Sequence, residues 1–463
     1  MTTIAQPESA IATAITEIEQ HFPGRLDRNT YTCEQHGKGE SWHAPIPPDG
    51  VFFANSTEEV SQLLGICSKH KCPVIPFGAG SSEEGQIQAL QGGISIDLSE
   101  MNQLLCINAI DMDCSVQCGM IRQDLNQQTS DLGLFFPIDI GAHATIGGMA
   151  STRASGTMTV RYGTMKDLVL GMTVVLPDGR IIKTGGRARK SSAGYDLTRL
   201  FIGAEGTLGI ITELTLRLFG VTESAAAAMC SFDSINTATE LVVEAMQYGL
   251  SFSRIELADS LQMRGINQYC KTNYAENPTL FFDLTGSTVS VEHDLAVLEK
   301  LVQSFQPIAF TRAQSQHDYD ALWEIRHSAL YAAGALKPGS KGISTDVCVP
   351  ISELPRCIAD IQALIAETDI VAPLIGHVGD GNFHLLLLYA PDHPTEFDEV
   401  QRLHRALTVQ AHALGGTCTG EHGVGIGNKQ YMLDEHGEAL ELMRTIKNAI
   451  DPSNIMNPGK IFD

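Results

Sequence analysis

The sequence predicts an α+β protein built in two parts. Its 463 residues divide, at roughly 100–200 residues per domain, into two or three units that can each bury a real core. Up to Gly220 many short strand-like runs alternate with short helical ones. Beyond Gly220 the texture changes, and strand-like runs are each followed by an amphipathic helix of about a dozen residues. The boundary is placed near Phe219–Thr222, giving domains of 1–220 (core from about 47) and 221–463.

Taken in order, Thr57–His70 has helical apolar spacing (Val60, Leu63, Leu64, Cys67), with Ser56 or Thr57 as N-cap. Pro73–Ile75 reads as a strand, Phe77–Gly85 as a loop, and Gly93–Leu98 as a half-buried alternating strand. Cys106–Ala109 and Cys114–Gly119 are strands, followed by a helix over Arg122–Leu132. Val169–Gly185 is a hairpin about Pro177-Asp178-Gly179, and Gly209–Leu218 one more strand. In the second half, strands are expected over Ala225–Phe232, Phe252–Leu257, Leu280–Leu284, Gly342–Val349 and Pro373–Leu388. Helices are expected over Ser352–Glu367, Glu396–Leu414 and Asn428–Ile450.

The charge, 31 − 54 = −23, argues against nucleic acid, which needs clustered Lys and Arg. It argues equally against an anionic membrane surface, and no apolar run reaches the ~20 residues of a membrane span. Met1–Phe22 carries Glu8, Glu17 and Glu19 with no Lys or Arg, unlike a secretory signal or a transit peptide. Eleven cysteines without a C-x-x-C pair read as reduced, mostly buried thiols in a cytoplasmic protein.

Three glycine-rich segments stand out: 76–85 (PFGAGSSEEG), 141–148 (GAHATIGG) and 203–209 (GAEGTLG). The first follows a strand and offers successive backbone N–H groups and Ser hydroxyls, suited to wrapping an anion. It is neither a dinucleotide fingerprint, since Glu83 stands where the third glycine would fall, nor a Walker loop. One such loop alone is a tight turn; three in one domain favour a large phosphate-bearing ligand.

His377-Val-Gly-Asp-Gly-Asn-Phe-His384 is the sharpest local signal. With Asp380-Gly381 as a two-residue turn, His377 falls directly opposite His384, and two imidazoles there suit one divalent cation. The plain alternative is a hairpin with two polar-face histidines. In 415–427 (GGTCTGEHGVGIG), Glu421 offers an oxygen ligand and His422 a base. Otherwise Glu421 caps the helix expected at Asn428. Arg326 is either a fork for a substrate carboxylate or a surface partner of Asp320 or Glu324.

These segments, with IGGMASTRASGT (146–157), RYGTMKDLVL (161–170), STDVCVP (344–350) and DPSNIMNPGK (451–460), resemble the flavoproteins of the vanillyl-alcohol-oxidase type. Within them the chain is similar to cytochrome-type D-lactate dehydrogenases and other FAD-dependent 2-hydroxyacid dehydrogenases, from about Phe52 onward. The resemblance implies a FAD-binding domain of two α+β subdomains, then an α+β cap domain with an antiparallel sheet. FAD would rest on Pro76, Gly78, Ala79, Gly80, Ser81, Ser82, Pro137, Gly141, Ala142, Thr145, Gly147, Gly148, Ser151, Ser155, Glu205, Gly206, Gly209, Ile211 and Asn457. Residues 81–86 hold no histidine, so the flavin is expected to be non-covalent.

The resemblance also implies a divalent metal (Zn, Mn or Fe) on His377, His384 and Glu421, with Arg326 on the substrate carboxylate and His422 as the base. Hydride would pass from a small D-2-hydroxy acid to flavin N5, and an external acceptor (quinone, cytochrome or partner protein) would remove the electrons. Glu83 and Gln86 depart from the apolar residue and histidine usual there. Leu330, Ser344 and Leu386 stand where 2-hydroxyglutarate dehydrogenases hold a second carboxylate with polar or cationic groups, which favours D-lactate over D-2-hydroxyglutarate. A glycolate dehydrogenase, the flavin subunit of a glycolate-oxidising complex, and a metallohydrolase are the alternatives. A homodimer is compatible with the sequence, as is peripheral attachment at the inner face of a membrane.

Overall fold

The computed structural model describes residues 7–462; Met1–Gln6, the first part of the segment on which the targeting argument rests, lie outside the described residues. Pro7–His21 forms a helix that the sequence reading left out. Its apolar stripe of Ile11, Ala14, Ile15 and Ile18 is buried against the helix Thr57–His70, and Lys69 and His70 pair with Glu17. That second helix begins where its capping signal lies: the Ser56 hydroxyl accepts the Glu59 N–H at 3.2 Å.

The first sheet runs 26–27, 50–53, 94–97, 74–77, with the last three strands parallel. Ile94–Asp97 is buried on both faces, not half-buried as its alternation suggested. The alternating residues are Ser95 and Asp97, and the Asp97 carboxylate accepts from buried His36 at 2.8 Å. A polar residue in a central parallel strand thus marks an internal partner instead of solvent.

A five-stranded antiparallel sheet follows, in the order 104–108, 113–117, 210–217, 169–175, 181–185. Gly179, at φ +85°, turns the expected hairpin. One core, from Ile11 to Met456, fuses the two sheets. The chain reaches that core again at its far end, where Val74 N–H donates to Ile455 O and Asn457 N–H to Val74 O, both at 2.8 Å.

Strand Ser224–Ser231 opens a second architecture, an eight-stranded sheet whose main path is 309–312, 224–231, 279–286, 252–258, 374–376, 382–389, 341–344. Every pairing in it is antiparallel. Helices such as Ile235–Gln247 and Leu354–Ile365 bury Leu241, Val242, Cys357 and Ile358 on its core. The protein is therefore α+β in two domains, the second with an antiparallel sheet. The single helix expected over Asn428–Ile450 is broken into Lys429–Tyr431, Met432–His436 and Ala439–Ile450. Gly437 (φ +52°) interrupts it, a conformation an α-helix cannot hold. Among the described residues no helix is long and apolar enough to cross a membrane.

Ser56→Ala should destabilise the first domain by about 1 kcal/mol, read as a lower chemical-denaturation midpoint. An unchanged midpoint would show that Thr57–His70 is held by packing alone.

Candidate active site

The three glycine loops meet along one cleft. Its walls include Pro76, Gly78, Ala79, Gly80, Ser81, Ser82, Ala142, Thr145, Gly147, Gly148, Ser151, Glu205, Gly206, Gly209, Ile211 and Asn457, and Glu421 and His422 close one end. Pro137, Gly141 and Ser155 lie outside these walls; Ser155 instead donates to Glu421 Oε2 at 2.7 Å. Sequence reasoning missed the apolar lining of Leu98, Cys118, Ile140, Met149 and Ile210, because such residues read simply as core. The lining suits a large, partly aromatic, phosphate-bearing ligand. Ser82 Oγ is buried without a hydrogen-bond partner, as fits a donor facing such a ligand.

Several glycines serve loop-to-loop contact. A Cβ on Gly78 would meet Thr145 Oγ1 at 2.4 Å, and one on Gly206 would meet Pro76 Cγ at 2.5 Å. The same holds in 415–427, where Gly423 abuts Glu205 and Gly425 abuts the Glu84 carbonyl. Glu205 receives that segment through the Val424 and Gly425 N–H groups at 2.6 and 2.8 Å. Gln86 donates to the His422 carbonyl at 2.8 Å, so this departure from the family pattern fastens the first loop to the segment.

His377 and His384 do converge, but by a different register. His384 pairs with Ile375, and 377–381 form a wider turn closed by Asp380 N–H on the His377 carbonyl. The shift of two residues keeps side chains on the same face. The rings sit edge-on with centroids 5.4 Å apart. Each Nδ1 is held from behind: His377 by Glu256 at 2.8 Å, His384 by the Thr345 carbonyl at 2.9 Å. Each Nε2 faces Glu421 Oε1, at 3.2 and 3.5 Å. The reading of Glu421 as a helix cap is thereby set aside. His422 stacks on His384 at 5.1 Å.

Arg326 is buried, and its Nε donates to Glu256 at 2.7 Å, so neither Asp320 nor Glu324 holds it. Glu256, absent from the sequence reading, therefore braces both Arg326 and His377. Asp346 was missed as well. Its Oδ2 accepts from Thr419 Oγ1 (2.7 Å) and from the Glu421 and His422 N–H groups (2.8 Å each), and Oδ1 accepts from Asn382 (3.0 Å). Asp346, His384, Glu421 and His422 offer atoms within 4.8 Å of one another. With four hydrogen bonds already on Asp346, His377 is the better donor, its Nε2 directed at Glu421 by Glu256. Two imidazoles and a carboxylate with their outer atoms so committed fit a divalent ion.

Acidic groups dominate the field of the cluster. Burial opposes charge on His377, but Glu256 and Glu421 prevail and raise its pKa to about 10. Burial likewise opposes charge on His422, and Asp346, Glu83 and Glu421 raise it to about 9. Burial disfavours the Glu421 carboxylate too, yet His377 and His384 hold its pKa well below the usual carboxylate range. Deep burial pushes the nearby Glu84 up to about 8.

Glycine loops that interlock into one long cleft, with an imidazole–carboxylate cluster delivered to its end by a separate sheet, define a flavin-dependent oxidoreductase. Residues 48–185 match the family described as "FAD binding domain" and residues 221–461 that described as "FAD linked oxidases, C-terminal domain"; the chain belongs to these FAD-linked oxidases. It is 46% identical over 437 residues to "Probable D-lactate dehydrogenase, mitochondrial" of Danio rerio, covering 93% of this chain and 87% of that protein. It is 40% identical over 459 residues to "D-lactate dehydrogenase [cytochrome], mitochondrial" of Arabidopsis thaliana, covering 98% and 80%. A solved structure of p-cresol methylhydroxylase with substrate bound shares the fold, with a TM-score of 0.81, 16% identity and 98% and 97% of the two chains covered.

Glu84→Gln tests the burial of a carboxyl that faces His422. A carboxyl that binds its proton more tightly folded than unfolded loses stability as pH rises from about 4.5, its ordinary value, to about 8. The amide removes that loss. The variant should therefore gain stability over the parent at pH 9 and match it near pH 4; equal denaturation midpoints at both would refute the burial argument.

Proposed function

We propose that the chain is a FAD- and divalent-metal-dependent dehydrogenase that oxidises D-lactate to pyruvate and passes the electrons to an external acceptor. The observation that carries this reading is Glu421 facing both His377 and His384, with His422 beside it, at the end of the flavin cleft. On this reading residues up to 220 hold the flavin and 221–463 supply the cap and its metal ligands. When bound, FAD supplies a hydride acceptor and the divalent ion acidifies the α-hydroxyl.

The chain's own residues do the rest. Arg326, held at its Nε and Nη2 by Glu256, fixes the substrate carboxylate with its remaining nitrogen, Nη1. His422 takes the hydroxyl proton. A divalent ion held by His377, His384 and Glu421 would oppose positive charge on His422 and so favour its neutral, basic form. The sequence SSEEGQ at 81–86 offers no imidazole for covalent attachment, which supports a dissociable flavin. The shared fold and cleft leave a metallohydrolase without support.

Substrate size is argued from the sheet. Ser344 pairs with Leu386, which is two residues beyond His384 and therefore on its face. A second carboxylate set against this neutral pair would lack a partner, at a cost of roughly several kcal/mol. Leu330 is half-exposed (53%) and adds no charge. A one-carboxylate acid follows. The printed name of the Arabidopsis relative, with its cytochrome, supports an external acceptor. The eleven cysteines without a C-x-x-C pair support a cytoplasmic location, whereas both relatives carry mitochondrial names.

The test is the visible spectrum of the purified protein without oxygen. D-lactate should bleach the flavin band, and L-lactate and D-2-hydroxyglutarate should not; bleaching only by a dicarboxylate would overturn the argument from Ser344 and Leu386. His422→Ala should keep flavin and metal while slowing bleaching at least about 100-fold, and bleaching at the parent's rate would remove His422 as base. His384→Ala should lose metal and activity together, and full metal content would strike it from the ligand set.

A further inference from the structure

A second group of metal-ligating side chains lies behind the segment that carries Glu421. His412 closes the helix Pro394–Ala413, Cys418 lies on the segment itself, and Glu435 belongs to the short helix Met432–His436. His412 Nε2 stands 3.0 Å from Glu435 Oε2, and the same oxygen accepts the Cys418 N–H at 2.9 Å. One ligand atom from each of the three lies within 4.8 Å of the others, and among the described residues this is the only such group that contains a cysteine. His436 Nε2 is 3.9 Å from Glu435 Oε1.

We propose that His412, Cys418 and Glu435 form a second divalent-metal site, suited to zinc-class ions, with a fourth position open to His436. The donor set is one argument: a thiolate, an imidazole and a carboxylate select Zn²⁺, Co²⁺ or Cd²⁺ over Mg²⁺ or Ca²⁺. Charge balance is another. A thiolate and a carboxylate carry two negative charges, which one dication would cancel, and the Cys418 N–H and His412 already hold Glu435 as a carboxylate. Without the ion, burial first and Glu435 second keep the thiol protonated.

Access is the third argument. Cys418, Glu435 and His436 line a second cleft together with Thr417 and Met432. On binding, the Cys418 S–H proton is released to solvent and a sulfur–metal bond forms, with no change of oxidation state. The ion ties the end of one helix and the start of another to a point three residues before Glu421. The site stands on its own residues and does not depend on the substrate proposed above.

Cobalt is the probe, because the cluster of His377, His384 and Glu421 contains no sulfur. Adding Co²⁺ to the chelator-treated flavoprotein should produce, in difference spectra, a near-ultraviolet thiolate-to-cobalt band that saturates with one equivalent bound and is displaced by Zn²⁺. Cys418→Ser should abolish that band while keeping the flavin spectrum. Glu435→Gln and His412→Gln, which leave the thiol in place, should weaken cobalt binding at least about tenfold. No band in the parent protein, a band that survives Cys418→Ser, or unchanged affinity in both other variants would overturn the site.

Discussion

The arrangement of the site depends on the buried carboxylate of Asp346. It holds the Thr419 hydroxyl, the N–H groups of Glu421 and His422, and the Asn382 amide at once. Because Asn382 begins the strand that carries His384, one carboxylate ties that strand to the segment bearing Glu421 and His422. Four donors, two of them backbone, offset the burial of its charge, as a carboxylate without water requires. Glu256 performs the matching task behind His377 and Arg326. The cluster facing the cleft is thus set by two carboxylates whose oxygens point away from it.

The glycines take a different meaning in three dimensions. Their density in 415–427 suggests backbone lying against a ligand, yet Gly420, Gly423, Gly425 and Gly427 lie against Asn382, Glu205 and Glu84. What they permit is the insertion of a cap-domain segment between the loops of the flavin domain. Glu205 on one side and Gln86 on the other then grip it through backbone groups. The cleft and its reactive end are consequently one mechanical unit, although they belong to different domains.

Much of this was legible in the sequence, for physical reasons. The helix Thr57–His70 and its cap are local features, so spacing and one serine sufficed to locate them. The hairpin at Gly179 and the antiparallel strands beside it rest on turn chemistry that a few residues contain. The convergence of His377 and His384 survived an error of register because a slip of two preserves the face. Long-range partners were not legible. Nothing near Arg326 or His377 in the chain points to Glu256, 70 and 121 residues away, and nothing near Glu421 points to Asp346. Asp97 misled for the same reason: polarity in a strand does not reveal whether its partner is water or a buried histidine.

The return of residues 455–457 to the edge of Val74–Phe77 bears on the order of events during synthesis. The strand that launches the phosphate loop gains its outer backbone partners from the far end of the chain. Asn457, which bonds the carbonyls of Gln86 and Glu205, is a wall of the cleft made only after the cap has been translated. The nascent flavin domain can form its sheets while the cap is still being translated, but it cannot finish the wall that receives the cofactor. The complete wall of the cleft is therefore present only in chains that have also produced their cap.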